Sequence, residues 1–455
     1  MTNHWNYLLI FLFSISISTA SAQKQKLSLQ KTYEAALERY PGTDEKIAEI
    51  QLAAFQSKFI KSKQLPQANL QLQNSFGSIE GSTGGFFPLP GMFNINGASA
   101  TDETSASFNT YGSIVADWEI FSFGKLNKEY KASDIKIQEA WSDFSIYQLN
   151  LKSIVSRLFL KVLYDDIKLK WSQSNGLRVN EILKISKVLA SAGLKPGADT
   201  ALASSSYFQL LADEDLLRGR FESSKHQLNE FTVSEASEKN PESSNFLNAG
   251  LLKIAIGKYN NHPHLEKISH QIDYQNALKE ATQRSVLPSL SLLAGLSSRG
   301  SSAGDNWMKS RWANGFNNGS TNYLIGLGIT WNLTGIYDKS LKKKEIEQQG
   351  KIAESDYRQQ ELKLNAGILS THSRISEQVK QVSKTKIGVE KANEAYLLYR
   401  TRYENGLINL TELLQIQFLL QQAEEKQIEA YKGLWEQVII QSELTADFSN
   451  LFEIF

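Results

Sequence analysis

The stretch YGSIVADWEIFSFGKLNKEYKASDIKIQEAWSDFSIYQLNLKSIVSRLFLKVL, residues 111–163, changes its period part-way along. Gly112, Ile114, Ala116, Trp118 and Ile120 alternate with Tyr111, Ser113, Val115, Asp117 and Glu119, the two-residue period of a strand with unlike faces. After Phe123-Gly124 the period lengthens. Ile137, Trp141, Phe144, Gln148, Leu151, Val155, Leu158 and Val162 recur at steps of four and three, a heptad seam with one polar member. No proline interrupts Lys125 to Lys195, and about 68 residues of helix at ~1.5 Å each make a rod of roughly 100 Å. Such a rod reaches well past a globular core.

The arrangement occurs a second time. Tyr323, Ile325, Leu327, Ile329, Trp331 and Leu333 alternate with Leu324, Gly326, Gly328, Thr330 and Asn332. A proline-free helical run follows from about Asp338 to Glu404, with Thr385, Val389, Ala392, Tyr396, Tyr399 and Tyr403 at heptad spacing. Trp118 and Trp331 are 213 residues apart, as are Gly193 and Gly406. Two copies of one unit therefore fill the chain.

Taken in order, residues 23–233 hold the first copy, 234–261 a polar connection, 262–447 the second copy and 448–455 a short tail. Each copy reads helix, strand, strand, long helix, helix. Leu65-Pro66 and Leu287-Pro288 stop the first helices, because proline removes a donor and biases the residue before it away from helix. Strands are expected at about 67–77, 110–121, 289–298 and 322–334, and long helices at about 124–191, 199–231, 338–404 and 409–447. The long helices end at Gly193-Leu194 and Gly406-Leu407, with glycine at the C-cap position. Asp199 or Thr200, and Asn409 or Thr411, are the candidate caps of the helices that follow. Two Gly/Ser/Asn-rich loops join the strands, one with Phe86, Phe87 and Phe93 and the other with Trp307 and Trp312.

Composition narrows the function. The net charge of +1 supplies no basic field for nucleic acid. The absence of cysteine removes disulfides, thiolate metal sites, a cysteine nucleophile and a lipidated N-terminal cysteine. Residues 1–22 read as a secretory signal peptide, with an apolar core from Leu8 to Ile17 and Ala20-Ser21-Ala22 before Gln23. Beyond it no apolar run is long enough for a transmembrane helix, so contact with a membrane has to be made as a barrel.

The strands fit that demand. Eleven residues at ~3.3 Å give about 36 Å, or roughly 26 Å of height at a 45° tilt, close to the ~25 Å apolar band of an outer-membrane barrel. Ile114, Trp118, Leu290, Leu292, Ile325, Leu327, Ile329 and Trp331 are the lipid-facing candidates. Four strands cannot close a barrel, and an open edge in lipid leaves backbone groups without partners. Two chains give eight strands and three give twelve.

With these residues laid out, the mature chain resembles the TolC-like outer membrane efflux proteins over nearly its whole length. The signals are the two Leu-Pro stops, Trp118 and Trp331 before long helices, and the turns Gly193-Leu194 and Tyr403-Glu404-Asn405-Gly406-Leu407. The resemblance implies a mainly helical chain with transmembrane β structure, a homotrimer closing one twelve-stranded barrel, and a periplasmic helical tunnel. It implies an outer-membrane location, without lipidation, and partnership with a periplasmic adaptor and an inner-membrane pump of the resistance-nodulation-division, ABC or major-facilitator type. Adaptor contact falls on Gly193, Leu194, Gly406 and Leu407. Tyr403, Glu412 and Gln415 occupy the positions of a periplasmic gate, where Gln415 replaces an acid of the best-known member.

No catalytic fingerprint, nucleotide loop or cofactor motif is present. The chain is expected not to be an enzyme, and to need no cofactor and no metal. His262, His264 and His270 form the one histidine cluster, read as a polar junction. The leading function is a passive exit duct for efflux or type I secretion. The alternative is a secreted coiled-coil scaffold or adhesin without a pore.

Overall fold

Two rods and one sheet organise the computed structural model, which describes residues 28–77, 107–232, 243–248, 250, 258–259, 261–302, 311–317 and 319–455. The elements are α1 (Leu29–Arg39), α2 (Pro41–Ser62), β1 (Gln67–Gly77), β2 (Ser107–Phe121), α3 (Lys125–Ser191), α4 (Gly197–Asn229), α5 (Pro263–Arg284), β3 (Ser289–Ser301), β4 (Ser320–Thr330), α6 (Gly335–Glu404), α7 (Leu410–Thr445) and α8 (Ser449–Ile454). Short 3-10 turns occupy Ser243–Leu247 and Trp312–Phe316. The signal segment 1–22, the loop aromatics Phe86, Phe87, Phe93 and Trp307, and most of 234–261 lie outside the described residues.

The rods α3 and α6 contain 67 and 70 residues, so each extends about 100 Å at ~1.5 Å per residue. Near the sheet, α2 packs on α3, α3 on α5, and α5 on α6; toward the other end α4 packs on α3, α3 on α7, and α7 on α6. The rods are continuous and their companions come in two pieces. The result is a wall whose free margins are α2 and α4 on one side and α6 on the other. No helix among the described residues is long and apolar enough to cross a membrane.

Charged pairs fix α3 against α7. Buried Lys168 reaches Glu425 at 2.6 Å, Arg178 grips Glu424 through both amino groups at 2.8 and 2.5 Å, and Arg157 meets Glu443 at 2.9 Å. Such charge-assisted pairs are directional, so they specify how the two helices align lengthwise.

The densest core lies halfway along the rods. Val155, Phe159 and Leu163 of α3 meet Leu434, Trp435 and Ile439 of α7, Leu29 and Ala36 of α1, Phe246, and Leu451 of α8. Trp435 Nε1 donates to the Phe246 carbonyl at 2.8 Å. Phe455 meets Trp435 edge-on at 4.9 Å, and its carbonyl accepts from Leu29 N at 2.8 Å. Among the described residues this core draws on α1 and on the tail, which forms α8. Short helices far apart in sequence assemble it, and neither shows a long periodic signal.

Other boundaries move for local reasons. β4 stops at Thr330 instead of reaching 334, because the Asn332 side chain accepts from Gly335 N at 2.9 Å and begins α6 early. α4 starts at Gly197 with Pro196 as its cap residue, so neither Asp199 nor Thr200 caps it. Asn409 does cap α7, accepting from Glu412 N at 2.9 Å.

His262 is the N-cap of α5: Nδ1 accepts from His264 N at 3.3 Å and Nε2 donates to the Glu443 carbonyl at 3.2 Å. His270 lies elsewhere on the helix, paired with Ser142 Oγ at 3.0 Å. Burial pushes the His262 pKa below its ordinary value, and neighbouring His264 adds to that against the pull of the Glu443 carbonyl. The neutral ring is thus the one the fold uses. Its contribution is complete above the unfolded value of about 6.5 and is lost as pH falls through the lower folded value. Thermal unfolding of wild type should therefore fall more steeply below pH 6.5 than that of His262→Asn, which caps without titrating near there.

Candidate functional site

The four strands form one antiparallel sheet in the order β1-β2-β3-β4. Residues directly opposite one another share a face. Leu70 faces Ile114, Ile114 faces Leu296, Trp118 faces Leu292, Leu292 faces Leu327, Leu290 faces Ile329, and Ala294 faces Ile325. These pairs make one continuous apolar surface. The opposite surface carries Gln67, Gln71, Gln73, Ser113, Asp117, Ser291, Ser297, Asn322, Gly326 and Gly328, interrupted by Val115, Leu293 and Leu324.

Burial runs against the rule for a soluble sheet. Leu70, Ile325, Leu327 and Ile329 are 78, 73, 68 and 76% exposed, whereas Ser113 and Ser297 on the other face are 4 and 6% exposed. Ile114, Trp118 and Trp331 are exposed as well, and Leu290 and Leu292 are half-buried. The seven candidates within the strands share the apolar surface, and Trp331 stands just past the end of β4. Leaving a leucine or isoleucine in water forgoes about 1.5–3 kcal/mol each, so this face needs a non-aqueous neighbour.

Trp118 and Trp331 have a second task that sequence reading missed. Trp118 Nε1 donates to the Gln64 carbonyl at 2.8 Å, and Trp331 Nε1 donates to the Val286 carbonyl at 3.0 Å. Both carbonyls stand just ahead of a Leu-Pro stop, past the end of a helix, where the ladder has no donor left for them. Each indole ties the end of a descending strand to the end of the helix before the ascending one. The matching offsets of the two Leu-Pro stops and the two tryptophans were the available signal.

At the far end of the rods the two turns have one geometry. Leu194 N bonds Leu189 O at 2.9 Å and Gly193 N bonds Ala190 O at 3.0 Å; Leu407 N bonds Arg402 O at 2.9 Å and Gly406 N bonds Tyr403 O at 3.0 Å. This is the Schellman pattern, and it places Gly193 at φ +71° and Gly406 at φ +74°. The leucine after each glycine usually packs back on its helix. Here Leu194 and Leu407 are 70 and 69% exposed.

Lys195, which the sequence did not single out, joins the turns. Its Nζ donates to the Ile408 carbonyl at 3.0 Å and lies 5.7 Å from the Tyr403 ring centre. Tyr403 itself is fully buried among Ile182, Leu183, Ala203, Leu410 and Leu413. Burial raises its hydroxyl pKa and nearby Asp199 adds to the rise, with Ser186 acting in the opposite sense. Glu412 and Gln415 are exposed one turn apart at the start of α7, and Glu412 also accepts from Asn409 Nδ2 at 2.7 Å. The structure thus brings the two turns and Tyr403 together but keeps Tyr403 inside the helix packing, away from the exposed Glu412 and Gln415. Gly406→Ala should lower stability by about 1–2 kcal/mol, the cost of a left-handed backbone for an L residue, read from denaturant midpoints. Gly388→Ala, in mid-helix with open space around it, should be neutral or stabilising.

Residues 259–438 match the family model described as outer membrane efflux protein. No curated protein matches the sequence. Among solved structures, the chain is similar to the Campylobacter jejuni CmeC outer membrane channel at 17% identity and TM-score 0.73, over 92% of this chain and 85% of that one. It is similar to the outer membrane protein VceC of Vibrio cholerae at 14% identity and TM-score 0.69, over 92% and 97%. Similarity to the open state of the Neisseria gonorrhoeae MtrE outer membrane channel gives 15% identity and TM-score 0.67, over 92% and 89%. These likenesses concern the fold. The match to the outer membrane efflux protein model thus falls on the second copy, and the fold shared with these channels spans both copies.

Proposed function

We propose that the chain is the outer-membrane exit duct of a tripartite efflux or type I secretion system, passively conducting substrates received from a periplasmic adaptor and an inner-membrane pump. One observation carries the reading: among the described residues, a sheet whose apolar face is exposed while Ser113 and Ser297 of the opposite face are buried, with β1 and β4 as its outer strands. Their outer edges cannot stay open in lipid. β1 of one copy pairing with β4 of the next repeats around an axis until the ring closes, and three copies give twelve strands.

The helical wall supports the same joint. Phe55 and Phe59 on α2, Phe208 on α4, and Ile352, Leu362 and Leu369 on α6 are exposed apolar side chains on its two margins. A copy whose α2 and α4 margin meets the neighbour's α6 margin covers both. In this reading Ile114, Trp118, Leu290, Leu292, Ile325, Leu327, Ile329 and Trp331 face lipid, and the polar surface of the sheet lines the pore. Gly193, Leu194, Gly406 and Leu407 meet the adaptor, with both leucines presented outward for it. Glu412, Gln415 and the helix packing held by Tyr403 bound the periplasmic gate.

The detergent-corrected mass of protein extracted from outer membranes should equal three chains. A water-soluble monomer or dimer recovered without detergent would leave the scaffold reading instead. Leu327→Lys should cost about 2–4 kcal/mol for a charge near mid-bilayer on the lipid face, whereas Gln71→Lys on the opposite face should be near neutral. Equal tolerance of both would count against a lipid-facing sheet.

A further inference from the structure

Between β3 and β4, the described residues Trp312–Phe316 lie against the sheet. This 3-10 turn lies on the apolar face at the end remote from the helices. Four contacts place it there. A Cβ on Gly300 would stand 2.5 Å from the Gly315 carbonyl oxygen, and a Cβ on Gly315 would stand 2.8 Å from Thr110 Oγ1. Asn74 Nδ2 reaches the Trp312 carbonyl at 3.5 Å, and Ser301 N donates to Asn317 O at 2.9 Å. Asn74, Thr110 and Gly300 lie in register across β1, β2 and β3, on the same face as Leu70, Ile114 and Leu296. Glycine at 300 lets the backbone of the turn settle directly on the strand.

The turn then turns its aromatic groups outward. Trp312 and Phe316 are 65 and 55% exposed, and their rings meet edge-on at 6.0 Å. They stand beside the outer end of the apolar band, where Tyr323 is exposed and Phe76 packs on Phe108 at 4.7 Å. Trp118 and Trp331 mark its inner end. Tyr323 and Trp331 are eight residues apart, about 26 Å along a strand at ~3.3 Å per residue, or roughly 19 Å of height at a 45° tilt, which places both toward the ends of the ~25 Å apolar band of an outer-membrane barrel. Exposed Arg311 precedes Trp312 and has the reach to keep its charge in water while the rings sit lower.

We propose that Trp312 and Phe316 form a lipid anchor: the Trp312–Phe316 turn lies outward, on the barrel wall, and seats both rings at the boundary between acyl chains and headgroups of the outer leaflet. The proposal rests on the barrel reading above. It gives this turn a role in holding the barrel's height in the bilayer.

The chain has no cysteine, so single-cysteine variants of the full chain can be labelled at one place. Trp312→Cys, Phe316→Cys and Ile325→Cys, each carrying an environment-sensitive fluorophore, are placed in phosphatidylcholine nanodiscs. Quenching by a spin label shallow in the acyl chain, by one deep in it, and by iodide in the water is then compared. For Trp312 and Phe316 the shallow quencher should exceed both others by about twofold or more, as expected for groups ~5–10 Å into the interface. For Ile325 the deep quencher should dominate. Strong iodide quenching at 312 and 316 with lipid quenching at 325 overturns the anchor and leaves the barrel. Protection from all three quenchers at 312 and 316 also overturns it, and assigns the rings to a neighbouring copy. Iodide quenching at 325 overturns the barrel and the anchor together.

Discussion

Backbone hydrogen bonding at the edges of one sheet governs the rest of this molecule. In the proposed function lipid meets the apolar face of the four-stranded sheet, and lipid offers no partner for the outer edges of β1 and β4. The demand for closure passes down the wall. The side of the wall that begins at α2 carries exposed Phe55 and Phe59, and the side that ends at α6 carries exposed Ile352, Leu362 and Leu369, so in the proposed function the contact that closes the sheet also covers the helices. Assembly, in the proposed function, is thus a condition for the strands to be stable at all.

Much of this was legible because long elements leave long signals. Ile137 to Val162 kept its heptad spacing over most of a rod, and Tyr323 to Trp331 kept its alternation across a strand; both readings named the correct element. Duplication helped further, since a weak motif stated twice at a fixed offset is no longer weak. The tip turns were readable for a different reason: only glycine takes φ near +70° without strain, so Gly193 and Gly406 advertised their geometry.

What stayed hidden depends on contacts between distant residues. Nothing near Phe455 announces Trp435 or Leu29 as its neighbours, and nothing near Lys195 announces the Ile408 carbonyl. Tyr403 was read by position as part of a gate, yet its side chain is packed among Ile182, Leu410 and Leu413. Spacing gives the face of a helix. It does not give which of several neighbours that face meets. The segment between β3 and β4 was read as a Gly/Ser/Asn-rich loop with Trp307 and Trp312, and the glycine that lets its Trp312–Phe316 turn lie on the sheet, Gly300, belongs to β3.

The paired indole bonds at Gln64 and Val286 carry a mechanical consequence. Each strand-to-rod corner is pinned to the neighbouring helix end by a single rigid ring, and the corner occurs once in each copy. Torque applied to α3 or α6 is therefore delivered to the sheet without slack at the joint. The sheet is laterally bonded throughout and yields little to twist. At the opposite end of the rods the two turns are joined by the packing around Tyr403 and by the Lys195 bond to the Ile408 carbonyl, so a load carried down the rods reaches the tip through side chains, where at the sheet it passes through a backbone ladder.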